Sequence, residues 1–467
     1  MFVIGERLIY LAPQLTTIVL ISRFWGHERF GEYALVLTWA RTFQGITSFG
    51  ITECLAREIG REFGRSSSYL IHGLALVVGL AVVAVTGMTS AAWAMQYPSH
   101  VALSVFVASG TLLPTGIVAV CRGVLVARGR IEYMMAISAV ESTILLALNV
   151  YWIVKGATLL PLIVIMVSAN MVSALLTIAL VHRRVAPIVG PLNPAVLKQL
   201  WTNVLPFGIS SLIIFPSIRF DVILLSKMAT FGELGLYSAA SKLTEFLFIF
   251  TMAFYLPMLP RVAGDLSQRP DPRTDRLQSA LAWYFALIIP VGVGILALAS
   301  PIIHFIYGAS FAAAAPLLRI QMAMFVVFAV DVALMLVCRA AGFQRVDLAF
   351  VAASTALNVI ACLLLIPRLG AVGAALAVAV SVLLGLVLRG HLVSRLVLRL
   401  GWFTLLRAPL AASVLATAVV LALREYLPLP LLVVAYAVVY AAIAMASFPF
   451  VTGVVKRALQ QRRRSAR

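Results

Sequence analysis

The sequence predicts an all-α polytopic membrane protein, with about 14 transmembrane helices arranged as two six-helix lobes and two further C-terminal helices. Three observations predict it: the apolar content, the alternation of basic loops, and an internal repeat. Hydrophobic residues make up 62% of the 467 positions, and only 11% are charged. Ordinary soluble domains carry about 25% charged residues. A soluble chain of this size could not bury so much apolar surface. At about 20 apolar residues per membrane helix, the composition supports roughly 12 to 14 spans.

Fourteen stretches pass the length test, at 7–24, 31–53, 70–93, 101–121, 133–154, 159–181, 201–226, 235–259, 277–299, 313–338, 347–366, 371–388, 404–423 and 431–455. The segment 301–312 is too short to span and reads as an interfacial piece. Met1–Arg7 is too short for a cleavable signal peptide, and the first apolar stretch is expected to be a span itself.

The net charge of +19 would suggest nucleic acid in a soluble protein. Here it sorts by loop. The termini and even-numbered loops hold 26 of the 36 Lys and Arg residues, and the other loops and span ends hold seven. That bias puts both termini in the cytoplasm, with the basic residues against anionic headgroups. Nucleic acid is not an expected partner, whereas membrane lipid is. The tail Lys456–Arg467 and the stretch Arg389–Trp402 read as inner-leaflet contacts, the latter as an amphipathic surface helix.

The halves repeat. With an offset of 204, Ser22-Arg23 falls on Ser226-Lys227, Gly31-x-Tyr33 on Gly235-x-Tyr237, and Arg57 on Arg261. Val120-Cys121-Arg122 resembles Val337-Cys338-Arg339, and Arg130-Ile131-Glu132 resembles Arg345-Val346-Asp347. Six spans separate the copies, so they share one orientation, related by a pseudo-two-fold axis along the membrane normal. The expected division is residues 1–200 for the first lobe, 201–400 for the second, and 401–467 for the two additional spans and the tail.

Charges inside spans cost at least roughly 2.5–3.5 kcal/mol each and persist where they meet water or a partner. Arg41 lies midway along the second span, on a stripe with Thr38, Gly45, Ser48 and Thr52. The first span offers Glu6, Tyr10, Gln14 and Thr17, and the seventh Asn203, Ser210, Ser217 and Asp221. The eighth carries Ser238, Lys242 and Glu245. Spans 1, 2, 7 and 8 therefore read as the lining of a cavity with a cationic surplus. Arg23, Arg41, Arg219, Lys227 and Lys242 stand there against Asp221 and Glu245. Such a lining suits an anionic substrate, a pyrophosphate above all. The plainer alternative is that Lys242 and Glu245, at i and i+3, neutralise each other. Arg219 and Asp221 could do likewise, while Arg23 and Lys227 snorkel to the interface. Glu53, Glu141 and Asp331 are further acids expected within spans, for ion coupling or for pairing inside the bundle. Four cysteines without CxxC spacing and six scattered histidines offer no metal site, disulfide or catalytic set. No nucleotide-binding loop is present, and no cofactor is expected.

Phe30-Gly31-Glu32-Tyr33-Ala34, after a first span ending in Ser22-Arg23, resembles the second-span entry of oligosaccharide flippases of the polysaccharide-exporter type. So does Leu234-Gly235-Leu236-Tyr237-Ser238-Ala239-Ala240-Ser241-Lys242-Leu243, followed by Pro257 and Pro260-Arg261. These flippases belong to the multidrug/oligosaccharidyl-lipid/polysaccharide superfamily. The resemblance implies transport, by alternating access, of an undecaprenyl-pyrophosphate-linked oligosaccharide for surface polysaccharide synthesis. It places the protein in a bacterial cytoplasmic membrane, beside a polysaccharide polymerase and glycosyltransferases as partners. It also implies that the last two spans shape a groove for the lipid tail, and that Arg41 and Lys242 match basic cavity positions. Relatives often carry Arg where Lys242 stands. A lipid II flippase and a multidrug or organic-cation exporter of the same superfamily are the alternatives. The exporter should have about 12 spans and an acidic cavity. A membrane glycosyltransferase would need a long external loop, and none is present.

Overall fold

The computed structural model describes residues 2–217, 220–267, 274–397 and 401–447. Among them there is no strand. The chain divides into two compact units, Met1–Gly235 and Leu236–Arg467.

The first unit opens with α1 (Phe2–Ser48), which holds two spans joined at Gly26. Gly26 has φ of 74°, a conformation that a residue without Cβ adopts at little cost. The sharp reversal there lays two spans side by side. Then come α2 (Ile51–Arg61), α3 (Ser66–Ala94), the consecutive α4 (Ser99–Ser109) and α5 (Leu112–Ala127), α6 (Ile131–Val154) and α7 (Leu159–Arg184). The helices α8 (Pro194–Ser217) and α9 (Phe220–Met228) follow, and α10 (Phe231–Ser267) carries the chain into the second unit. There α11 (Thr274–Ala297) precedes α12 (Ala299–Tyr307) and α13 (Ala314–Ala340). The helix α14 (Gln344–Leu396) again merges two spans, across Gly370. The helices α15 (Trp402–Leu423) and α16 (Leu429–Ser447) close the described chain.

Counted at their kinks and breaks, these helices make the fourteen expected crossings. Among the described residues, nine are long and apolar enough to cross a membrane on length and composition alone. The 29 residues of α3 extend about 43 Å, more than a hydrocarbon core of about 30 Å. The nine-residue α12 reaches only about 14 Å and cannot cross. Large apolar side chains stay exposed along the long helices, among them Val83, Leu364 and Val387. They form the surface that lipid covers.

The second span ends earlier than hydropathy suggests. Its helix stops at Ser48, and α2 begins at Ile51 with a direction of its own. Ile51, Cys54, Leu55 and Ile59 are buried on one face of α2, at helical spacing, and join Leu70, Val120 and Val124 in a core cluster. Glu53 is therefore not inside a span: it lies exposed in the first turn of this amphipathic helix. In the second unit, α15 and α16 pack on α11 and α12 through Leu298, Val420, Leu432 and Tyr436. The Tyr440 hydroxyl donates to the Ala286 carbonyl at 2.7 Å, which ties α16 to α11.

Candidate functional site: a cationic cavity in the first unit

Because α1 doubles back at Gly26, Gln14 on its first half and Arg41 on its second half come together. An Arg41 Nη2 donates to Gln14 Oε1 at 3.3 Å. The helix α6 packs along α1 and adds Ser142 and Asn149, while α7 adds Asn170. These five residues supply much of the polar wall of a cavity of about 100 Å3, with Leu145 and Leu162 among its apolar walls. Arg41 is the charged residue among its described lining, and no acid lines it there. The Asn170 Nδ2 donates to the Met166 carbonyl at 2.8 Å. Ser142 Oγ and Asn149 Oδ1 are buried without a hydrogen-bond partner among the described residues.

The polar stripe expected along the second span is mostly not a wet face. Thr38 donates to the Ala34 carbonyl and Ser48 to the Gln44 carbonyl, each back along its own helix. Thr52 lies on α2 and donates to the Ala119 carbonyl. Of that stripe, Arg41 alone reaches the cavity among the described side chains. The side chains of Glu6, Tyr10, Ser210 and Ser217 lie outside the described residues, as does Arg219.

Arg23 and Lys227 are not among the described residues that line this cavity. Arg23 is exposed on α1. Lys227, also exposed, places its ammonium 4.7 Å from the centre of the Tyr97 ring, a cation–π arrangement. The Tyr97 hydroxyl pairs with Ser226 at 2.8 Å. Burial pushes the Tyr97 phenol above its ordinary value of 10, against the lowering effect of hydrogen bonds with Ser226 and Trp39. Asp221 is buried in the first turn of α9. Glu141, on α6, accepts from Ser173 at 2.6 Å.

In the second unit, Lys242 donates to Glu245 Oε2 at 3.1 Å, the i, i+3 pair that its spacing allows. Beside it, Gln321 donates to Ser241 at 2.9 Å and accepts from Thr244 at 3.0 Å, binding α13 to α10. Asp331 belongs to a larger set. Arg389 Nη1 reaches both Asp331 oxygens, at 2.7 and 2.6 Å, and its Nε reaches Asp347 Oδ1 at 2.6 Å. Arg339 Nε holds the other Asp347 oxygen at 2.5 Å. Asp331, Asp347 and Arg389 are 5%, 0% and 5% exposed. Arg389 is thus the buried partner of two carboxylates within α14, and not the start of a surface helix. Its neutralisation by residues 42 and 58 positions away is invisible to a window along the chain.

A family profile described as polysaccharide biosynthesis protein matches residues 4–262, more than half of the chain. The chain belongs to that family. No curated protein matches it. Among solved structures, the chain is similar to lipid II flippase MurJ in an inward closed conformation. The identity is 13% over 95% of this chain and 98% of that one, with a TM-score of 0.77. It is also similar to an inward-facing multidrug resistance MATE family transporter of the MOP superfamily, at 15% identity over 84% and 98%, TM-score 0.67. A third similar structure is a MOP superfamily transporter from Pyrococcus furiosus, described by a reverse polarity of its binding pocket. There the identity is 14% over 84% and 93%, TM-score 0.57. At these identities the likeness is one of fold.

Proposed function

We propose that this family member is a flippase, which moves an undecaprenyl-pyrophosphate-linked oligosaccharide across a bacterial cytoplasmic membrane by alternating access. Both termini would face the cytoplasm, as the 26-to-7 distribution of basic residues favours. The observation that carries the reading is Arg41: a guanidinium on a cavity with polar side chains in its wall, in a fold shared with membrane transporters. An ion taken from water into a low-dielectric interior faces a penalty on the order of 20 kcal/mol in the idealised limit. A diphosphate headgroup therefore needs a polar, cationic route, while its hydrocarbon tail needs none. The guanidinium fork suits phosphate oxygens. Lys242 and the cations Arg23, Arg219 and Lys227 are candidate contacts along that route. Asp331, Asp221, Glu245 and Glu141 are the corresponding candidates for ion coupling or pairing. A polysaccharide polymerase and glycosyltransferases would be its working partners.

An organic-cation exporter would call for an acid where Arg41 stands. A lipid II flippase would share the diphosphate chemistry, and the substrate decides between the two. The test is reconstitution in proteoliposomes with undecaprenyl-diphosphate-linked oligosaccharide, scored by the headgroup's accessibility to an external enzyme. Protein-dependent translocation supports the reading. Its absence, with lipid II translocated instead, overturns it.

A further inference from the structure

The cavity of the first unit is larger than a single small ion requires. A water needs roughly 10–15 Å3 of such space. At about 100 Å3 the cavity accommodates several waters, on the scale of one sugar ring. Its polar wall is built from amides and hydroxyls beside one guanidinium among the described lining. Ser142 and Asn149, which line it, are 2% and 7% exposed, and each has a buried side-chain oxygen with no hydrogen-bond partner among the described residues. Buried polar atoms left in that state are destabilising, and a ligand that pairs with them relieves the cost. The Asn170 Nδ2 is engaged with the Met166 carbonyl, so its Oδ1 remains to accept. Exchanging O and N in either asparagine alters which atom donates but leaves a donor-and-acceptor wall.

That wall selects a chemistry. Sugar hydroxyls both donate and accept, which matches asparagine and serine, and the Leu145 and Leu162 side suits the C–H face of a ring. A metal cation would meet Arg41 and no described acid. Bare phosphate would engage the guanidinium but leave the amide acceptors unused. We propose that the cavity is a subsite for a glycosyl phosphate. Ser142, Asn149 and Asn170 contact the sugar ring nearest the diphosphate, and Arg41 holds the adjoining phosphate. This deepens and rests on the flippase reading, and it makes these three residues determinants of which first sugar is accepted.

The experiment measures binding to the full-length protein in nanodiscs. The probes are undecaprenyl diphosphate, bare or carrying one glucose, galactose, N-acetylglucosamine or N-acetylgalactosamine. At least one glycosylated lipid should bind about tenfold tighter than the bare lipid. Ser142→Ala and Asn149→Leu should bring that ratio close to one by weakening the glycosylated lipid more than the bare one. Arg41→Gln should weaken both. The ratio does not depend on how much of a variant is folded. A wild-type ratio near one for every sugar overturns the subsite, as does a ratio that both variants leave intact. Failure to bind any of the lipids overturns the flippase reading itself. Glucose 1-phosphate as competitor separates the sources: displacement at micromolar concentration would assign the site to a soluble glycosyl phosphate and overturn its lipid-linked role.

Discussion

Gly31 and Gly235, the two positions that the internal repeat equates, lie against each other within the first unit. A Cβ on Gly31 would overlap the Phe231 carbonyl oxygen, and one on Gly235 would overlap the His27 carbonyl oxygen. Each obstructing carbonyl belongs to the residue four positions before the other glycine. The contact is therefore reciprocal: α1 and the start of α10 cross where neither has a side chain, as small residues allow in membrane bundles. Tyr33 and Tyr237, two residues beyond each glycine, are both buried.

Gly31→Ala and Gly235→Ala should each destabilise strongly, because the obstruction is backbone and cannot rotate away. Overpacking costs typically about 1–3 kcal/mol, and this site should reach at least the top of that range. Fluorescence-detected gel filtration after a heating series would show a lowered melting temperature for both variants. Gly79→Ala on α3, where nothing stands within 4 Å of the added methyl, is the control and should be no less stable than wild type.

A second interlock joins two Phe-Gly dipeptides. Phe207 occupies the space a Cβ on Gly50 would need, and the Phe49 ring occupies that of Gly208. Phe49 also stacks on Trp201, with centroids 5.5 Å apart. Gly208→Ala should destabilise, and Phe49→Leu should restore part of the loss, because there the obstacle is a side chain. A double-mutant cycle on melting temperature checks it, and additive effects would contradict the interlock.

Arg41→Ala should abolish surface polysaccharide while the protein still inserts, and Arg41→Lys should restore only part of it, since an ammonium lacks the fork. Polysaccharide staining against membrane-fraction immunoblots checks both. Normal export by an inserted Arg41→Ala, Lys242→Ala double variant would show that these cations do not carry the headgroup.

Arg389→Ala would leave Asp331 and Asp347 buried without their main counter-charge. Removing one partner of such a set costs about 3–5 kcal/mol. The double variant Asp331→Asn, Arg389→Gln should be less destabilised than Arg389→Ala, because it leaves Arg339 with Asp347 and removes the uncompensated charge. Thermal unfolding of the purified proteins ranks them.

The spans are legible because hydropathy is local: each run of apolar residues announces its own helix. The end of the second span is not, because the turn at Phe49-Gly50 sits in an apolar run that hydropathy alone reads as continuous. Arg41 stands out as a cation midway along a span. Its companions do not, since a serine or asparagine in an apolar helix such as α6 or α7 is ordinary, and only folding brings Ser142, Asn149 and Asn170 to one cavity. Arg389 misleads for a related reason: a charge at a span end looks like loop until its partners are located in space.

The set of Asp331, Asp347 and Arg389, all buried, with the partly exposed Arg339 sums to no formal charge. A displacement that carried all four through the transmembrane electric field would do no net electrical work, whereas each uncompensated charge would contribute about 2.3 kcal/mol per 100 mV. Voltage would therefore exert little pull on this part of the second unit. Its grip would fall on Arg41 and on whatever anion that arginine holds.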